Sequence, residues 1–305
     1  DPYLLSQPID MFYFAVLINS PTLSSYYATA HYKLVEDIDM QGEHLYVIGD
    51  GSNDAMFCGT FDGNNKTIRN FYITDEVVDQ ESYEEAYLPY VGLFGQAVAT
   101  VNAPVVIKNL TLEDYVVKAH PGAAGAGAYV GSLVGYGIGV QITGCRAVGE
   151  VVVTNDDNQI VNMGGLVGRM QAAYRADSRA TITWDAFVTA SSTDVELSGN
   201  GTPHSAGGIV GYLSAADISA IAYVSNSCSS GRTSGAMRTG GIVGTMGRFA
   251  SVSNCYSVSQ VSSNNSINIP NLTEQFKGSY AGGIVGYAEE DTVIAGCYAA
   301  NASLT

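Results

Sequence analysis

Four histidines, three carboxylate clusters, five cysteines and a spaced set of tyrosines are the side chains that could do chemistry in this chain. His31, His44, His120 and His204 stand apart from one another. A zincin protease needs His-Glu-x-x-His, which sets two imidazoles on one helix face with the glutamate as base. The sequence has no such motif, and hence no such protease domain. Polysaccharide lyases and glycosidases instead need a carboxylate pair in a cleft, often beside Arg or Lys. The candidates are Asp37/Asp39, Asp156/Asp157 and Glu289/Glu290/Asp291. Asp156-Asp157 lies within Asn155-Asp156-Asp157-Asn158, which reads as a turn with Asx caps. Glu289-Glu290-Asp291 reads as a turn as well, and nothing in the sequence brings either cluster to a base from elsewhere.

Asp50-Gly51-Ser52-Asn53-Asp54 offers oxygens at alternate positions, as a calcium loop would, but lacks the bidentate glutamate of an EF-hand. A polar loop is the expectation; whether calcium binds there stays open. The cysteines, Cys58, Cys145, Cys228, Cys255 and Cys297, form no CxxC pair and no zinc spacing with histidine. Cys145, Cys228, Cys255 and Cys297 fall at corresponding places in four repeats and are expected to form a buried ladder of small thiols. No nucleophile elbow, phosphate loop or dinucleotide fingerprint is present. Tyr136, Tyr212 and Tyr287 each follow a glycine-rich word, with Gln96, Arg169 and Thr245 in the other repeats. They are either an exposed ladder that stacks on sugars or half-buried edge packing, since tyrosine is amphipathic. Trp184 with Tyr174 and Phe187 is a second sugar-platform candidate. No catalytic, cofactor-binding or metal residue is assigned, and no cofactor is expected.

The elements that must position these groups are set by repetition. Gly-Gly-Ile-Val-Gly occurs at 207–211, 240–244 and 282–286. Variants are Val91-Gly92-Leu93-Phe94-Gly95, Gly131-Ser132-Leu133-Val134-Gly135 and Gly164-Gly165-Leu166-Val167-Gly168. Their last glycines are 40, 33, 43, 33 and 42 residues apart, a near-fixed period that marks a repeat architecture. A second strand is expected after each word, at 106–112, 140–148, 181–188, 223–228, 252–258 and 293–298. A third apolar or Thr/Ser segment follows in several repeats, as at 151–154 and 195–197. Three short strands per turn predict a parallel β-helix; rungs about 4.8 Å apart give six turns a length of roughly 30 Å. The glycines are expected to supply unusual backbone angles at corners and to let walls approach. Insertions at 122–127 and 198–205 are where specific contacts are expected.

Residues 1–45 are not repeat-like and are expected to cap the helix of strands, leaving 46–305 as one continuous β-helix. Ser6 is a candidate cap for a helix over 7–18, with Ile9, Phe12 and Val16 on its apolar stripe and Met11, Phe14 and Ile18 beside it. Residues 32–40 alternate as a strand, with Tyr32, Leu34, Ile38 and Met40 on one face. Asp62-Gly63-Asn64-Asn65 predicts a tight turn with positive φ. The acidic stretch 75–89 predicts a solvated loop. The chain's end after a Cys-Tyr strand predicts either continuation of the native protein or a segment 299–305 folded over the last turn.

Composition agrees with stacked strands. Only 14% of the 305 residues are charged, against 46% hydrophobic, with 35 glycines and 20 tyrosines. A net charge of −16 excludes nucleic acid as a partner, because such binding needs a basic surface. No apolar run approaches the ~20 residues of a membrane helix. The start at Asp1 fits either a removed signal peptide or a trimmed chain.

The words Gly-Gly-Ile-Val-Gly, followed by Ser253-Asn254-Cys255-Tyr256-Ser257-Val258 or Ala295-Gly296-Cys297-Tyr298-Ala299, resemble the GLUG-motif repeat of bacterial surface proteins. Residues 59–71, which contain Phe61-Asp62-Gly63-Asn64, resemble the run that precedes such repeats. The resemblance covers nearly the whole chain, departing at Ser132 and where Trp184-Asp185 stands near the usual Asn-Cys pair. Similar repeats occur in the non-catalytic region of immunoglobulin A metalloproteases and in large adhesins. The resemblance implies a right-handed β-helix on a secreted or surface-anchored bacterial protein, and carries over no catalytic residue. It implies an adhesion, ligand-binding or spacer module whose partner is a surface glycan or protein. The alternative is a carbohydrate-active enzyme on the same scaffold.

Overall fold

The computed structural model describes residues 1–78, 85–121, 127–154, 160–176, 181–200, 203–263 and 279–305. Apart from two helices and one 3-10 turn its elements are strands, stacked almost entirely in parallel. Each turn of the coil has four walls, not the three segments expected from the sequence. The first wall is built from Tyr90–Val91, Ala128–Gly131, Val161–Gly164, Pro203–Gly207, Arg238–Gly240 and Tyr280–Gly282. The second is built from Phe94–Val98, Val134–Ile138, Val167–Ala176, Val210–Ala215, Val243–Met246 and Val285–Ala288. A third wall, represented by Val140–Thr143 and Ala186–Thr189, meets a fourth, represented by Arg146–Thr154 and Ser192–Asn200. The strand Val105–Ala119 runs unbroken around that meeting point.

The glycine-rich word therefore spans the corner between the first two walls. Its central residue points inward: Leu133, Leu166, Ile209 and Ile242 are at most 1% exposed. Their amides bond to the same residue one turn on, Leu133 to Leu166, Leu166 to Ile209, Ile209 to Ile242 and Ile242 to Ile284. Each such buried side chain contributes about 1.5–3 kcal/mol. In the first turn the corner is one residue shorter, because Tyr90 pairs with Tyr129 while Phe94 pairs with Val134.

None of the word glycines has positive φ. Close approach is their reason instead. A Cβ on Gly207 would lie 1.9 Å from the Val210 oxygen, and one on Gly211 would lie 2.5 Å from the Gly168 oxygen. The first glycine thus closes the corner, and the last stacks it on the turn before.

The second strands expected from the sequence straddle a different corner. Val140–Val148 breaks at Gly144-Cys145, and the stretches at 223–228, 252–258 and 293–298 break at the same point. Residues 181–188 divide at Asp185, where Thr181–Trp184 turns back antiparallel on the second wall before Ala186–Thr189 joins the third.

Helix Pro8–Asn19 lies on the N-terminal end. Its buried stripe is Met11, Phe14, Ala15 and Ile18, whereas Ile9 and Val16 are 49% and 57% exposed. The helix carries apolar residues nearly all round, so its pattern alone did not choose the face; the aromatic end of the coil does. Phe14 packs against Tyr32, Phe57, Phe61 and Phe94. The cap also differs from expectation: Ser6 donates rather than accepts, and the Asp10 carboxylate takes the amides of Ser6 and Gln7 at 2.8 and 3.0 Å. Tyr32, Leu34, Ile38 and Met40 do share the buried face, but in two strands, His31–Leu34 and Ile38–His44. Asn64 and Asn65 have the positive φ expected of them, within the long strand Thr60–Thr74.

The acidic stretch is not a simple loop. Glu76–Val78 pairs antiparallel with Glu85–Tyr87, and Asp75 beneath them is 2% exposed. At the other end, residues 303–305 lie beside 261–263 as a further parallel pairing and do not fold over the last turn.

Candidate functional site

The corner between the third and fourth walls holds the cysteines. Asn109, Gly144, Ala190, Asn226, Asn254 and Gly296 occupy one corner position, all with φ between 49° and 64°. The next residue points inward: Leu110, Cys145, Ser191, Ser227, Cys255 and Cys297. The thiols of Cys145, Cys255 and Cys297 reach the carbonyl oxygens of Ile107, Val224 and Val252, one turn before, at 3.7–3.9 Å. Ser191 and Ser227 bond to the carbonyl two residues earlier at 2.9 and 2.7 Å and accept amides from neighbouring turns. Burial pushes the Cys255 thiol up to about 11, which keeps it protonated and unreactive. Cys228 does not belong to this ladder. It pairs in register with Ser192 and Tyr256, one position further on, so the expected four-cysteine stack is instead one of Cys and Ser. The usual Asn-Cys pair of that turn is replaced by Ala190-Ser191, not by Trp184-Asp185.

The outer faces of the first two walls carry two ladders that meet across the glycine corner. By register the first wall presents Tyr90, Tyr129, Asn162, Ser205, Arg238 and Tyr280. The second presents Gln96, Tyr136, Arg169, Tyr212, Thr245 and Tyr287. Tyr90, Tyr129 and Tyr136 form a triangle with ring centroids 5.2–5.6 Å apart. The Arg169 guanidinium lies 5.2 Å from the Tyr129 ring, 5.8 Å from Tyr136 and 5.0 Å from Tyr212, and donates to the Tyr129 hydroxyl at 2.8 Å. Arg238 lies 4.0 Å from the Tyr287 ring. Burial raises the phenol pKa of Tyr90, Tyr136 and Tyr212, and lowers His204 to about 4, so this face holds neutral tyrosines and a neutral His204 at neutral pH.

Sequence reasoning found the second ladder through the residue after each word. It missed the first, although Tyr90, Tyr129, Asn162, Ser205, Arg238 and Tyr280 all stand two places before a glycine that opens the corner. Of the other aromatic candidate, only Trp184 and Phe187 can be placed. Trp184 donates to the Thr100 carbonyl at 2.9 Å, Phe187 stacks on Tyr223, and the Tyr174 side chain lies outside the described residues.

The carboxylates hold turns and strands together. Asp37 accepts the Thr67 amide, and Asp39 pairs with Arg69 and Asn70. Glu290 and Asp291 pair with Arg248 at 3.6 and 2.8 Å. Asp156 and Asp157 lie outside the described residues. Asp50 accepts both the amide and the hydroxyl of Ser52, at 2.8 and 2.6 Å, in a turn anchored by Asn19. Among the described residues no group of three or more His, Cys, Asp or Glu side chains converges as a metal site. No described helix is long and apolar enough to cross a membrane.

Four walls stacked in register with a repeating glycine corner define a parallel β-helix. The family model for the GLUG motif matches residues 277–305, the last repeat. The fold is also similar to the crystal structure of a candidate immunoglobulin A1 protease from Bacteroides ovatus. That similarity has a TM-score of 0.66 at 20% identity and covers 98% of this chain and 75% of the other. At that identity the likeness concerns the fold. No curated protein matches the sequence.

Proposed function

We propose that the chain is a non-catalytic β-helix module of a secreted or cell-surface protein, which binds a surface glycan or protein partner. The observation that carries this reading is the pair of facing ladders, whose Tyr90, Tyr129, Tyr136, Arg169 and Tyr212 side chains stay half-exposed on the outer side of the walls. The glycine corner accounts for the repeated words, the corner between the third and fourth walls accounts for Cys145, Cys255 and Cys297, and Asp37, Asp39, Asp50, Glu290 and Asp291 are held in turns, strand contacts or ion pairs. The GLUG match supports a surface-type module. The protease named for the similar structure is that protein's description; this chain has no His-Glu-x-x-His through which to act as a zincin.

The test is a glycan array and a panel of immobilised host-surface proteins probed with the whole chain. In parallel, immunoglobulin A cleavage and release of reducing or unsaturated ends from acidic polysaccharides would be assayed. Retention of a ligand without turnover is expected. Turnover in either assay would replace this reading with an enzymatic one, and a blank on every surface would reduce the module to a spacer.

A further inference from the structure

We propose that the face around Arg169 is a binding site for a carboxylate-bearing saccharide, a claim that rests on the binding-module reading above. Arg169 is a half-buried cation without a carboxylate partner among the described residues, in a chain of net charge −16. Three other arginines pair with acids: Arg69 with Asp39, Arg146 with Glu113, and Arg248 with Glu290 and Asp291. Arg238, further along the same face, has Glu289 in its electrostatic surroundings. Arg169 has tyrosines instead. Three rings surround it, at 5.0–5.8 Å, and the Tyr129 hydroxyl fixes one end of its fork.

Two buried polar atoms on this turn have no hydrogen-bond partner among the described residues: the Nε of Arg169 and the Oδ1 of Asn162, whose residue is only 3% exposed. Asn162 and Arg169 flank one word, just as Tyr129 and Tyr136 flank the word before. Buried polar atoms ordinarily have partners, so two on one turn of an outward face indicate a place that an added polar ligand completes.

The chemistry of the lining selects the ligand. An arginine fork matches a carboxylate in a bidentate fashion, and tyrosine faces that flank it exclude water and strengthen that pairing. The triangle of Tyr90, Tyr129 and Tyr136 offers broad rings with polar rims, without a deep aliphatic socket. Such a platform suits the apolar face of a pyranose ring, with the tyrosine hydroxyls left to meet sugar hydroxyls. A uronic-acid polymer and a sialylated glycan both present this shared chemistry.

The test is calorimetric titration of the whole chain with four probes. These are trigalacturonate, its methyl ester, 3′-sialyllactose and lactose, with triglutamate as a non-saccharide acid control. The expected result is that at least one acid binds tenfold or more tighter than its uncharged counterpart, and the pair showing it identifies the source. Arg169→Met should erase that preference while leaving the thermal transition in place, and Arg169→Lys should restore only part of it. Should Arg169→Met fail to fold, the acid-against-ester comparison on the unmodified chain decides alone. Equal binding of acid and uncharged forms overturns the proposal, as does equal affinity for triglutamate. If the chain retains a partner in the array or protein panel yet shows no acid preference, only this inference falls. If nothing binds in any assay, the binding-module reading falls with it.

Discussion

One residue per turn, at the meeting of the third and fourth walls, sits in left-handed backbone, and its identity reads as a steric rule. Asn and Gly tolerate that conformation, because a short polar side chain bonds locally and glycine has no Cβ. Ala190, at φ 49°, has neither advantage. Replacing it with glycine removes a penalty of roughly 1–2 kcal/mol and adds back part of it through the freer unfolded chain. Ala190→Gly should therefore stabilise the protein by about 0.5–1 kcal/mol, read as a later midpoint in urea. Asp75 supplies a second prediction. Burial raises its carboxyl to about 6, against the opposing pull of the His120 amide. Because its folded pKa lies above the ordinary value of 3.8, the neutral acid is the form that folding favours. Its contribution is fully present below about pH 4 and is lost as pH rises through about 6. Thermal scans of Asp75→Asn against the parent should show that the variant lacks this part of the pH dependence.

Among elements, the glycine word did two jobs that the sequence merged into one. Its period fixed the repeat, and of the two roles expected of its glycines, unusual angles and close approach, only the second holds. The distinction needs distances between turns that are dozens of residues apart in sequence. Gly207→Ala tests it: φ is ordinary there, so strain would be slight if angles were the reason. With a Cβ 1.9 Å from the Val210 oxygen, the loss should instead exceed about 3 kcal/mol, visible in chemical unfolding. The Asn-Cys pair shows the converse. Its repetition was legible, yet a frame error of one residue placed Cys228 in the ladder, and strand pairing was needed to put Ser227 there. The helix face was placed one step round, on Ile9 and Val16 with Met11, Phe14 and Ile18 beside it, for another reason. Met11 and Phe14 were chosen by an aromatic cluster that includes Phe57, Phe61 and Phe94, residues no local window contains.

For the whole molecule, a coil of parallel rungs places residues at fixed offsets from each word on one long face. That is why the Tyr/Arg surface was half visible in the sequence: the residue after each word was noticed, and its partner two places before the opening glycine was not. Loops at 75–89, 122–127 and 198–205 were the expected contact points; in the binding-module proposal the regular face takes that role. Hydrogen–deuterium exchange of the chain, with and without a ligand retained on the array, tests this claim most directly. Protection is expected in Ala128–Gly131, Val134–Ile138, Val167–Ala176 and Val210–Ala215, the strands that carry Tyr129, Tyr136, Arg169 and Tyr212. Protection confined to 122–127 and 198–205, with these strands unchanged, would contradict it.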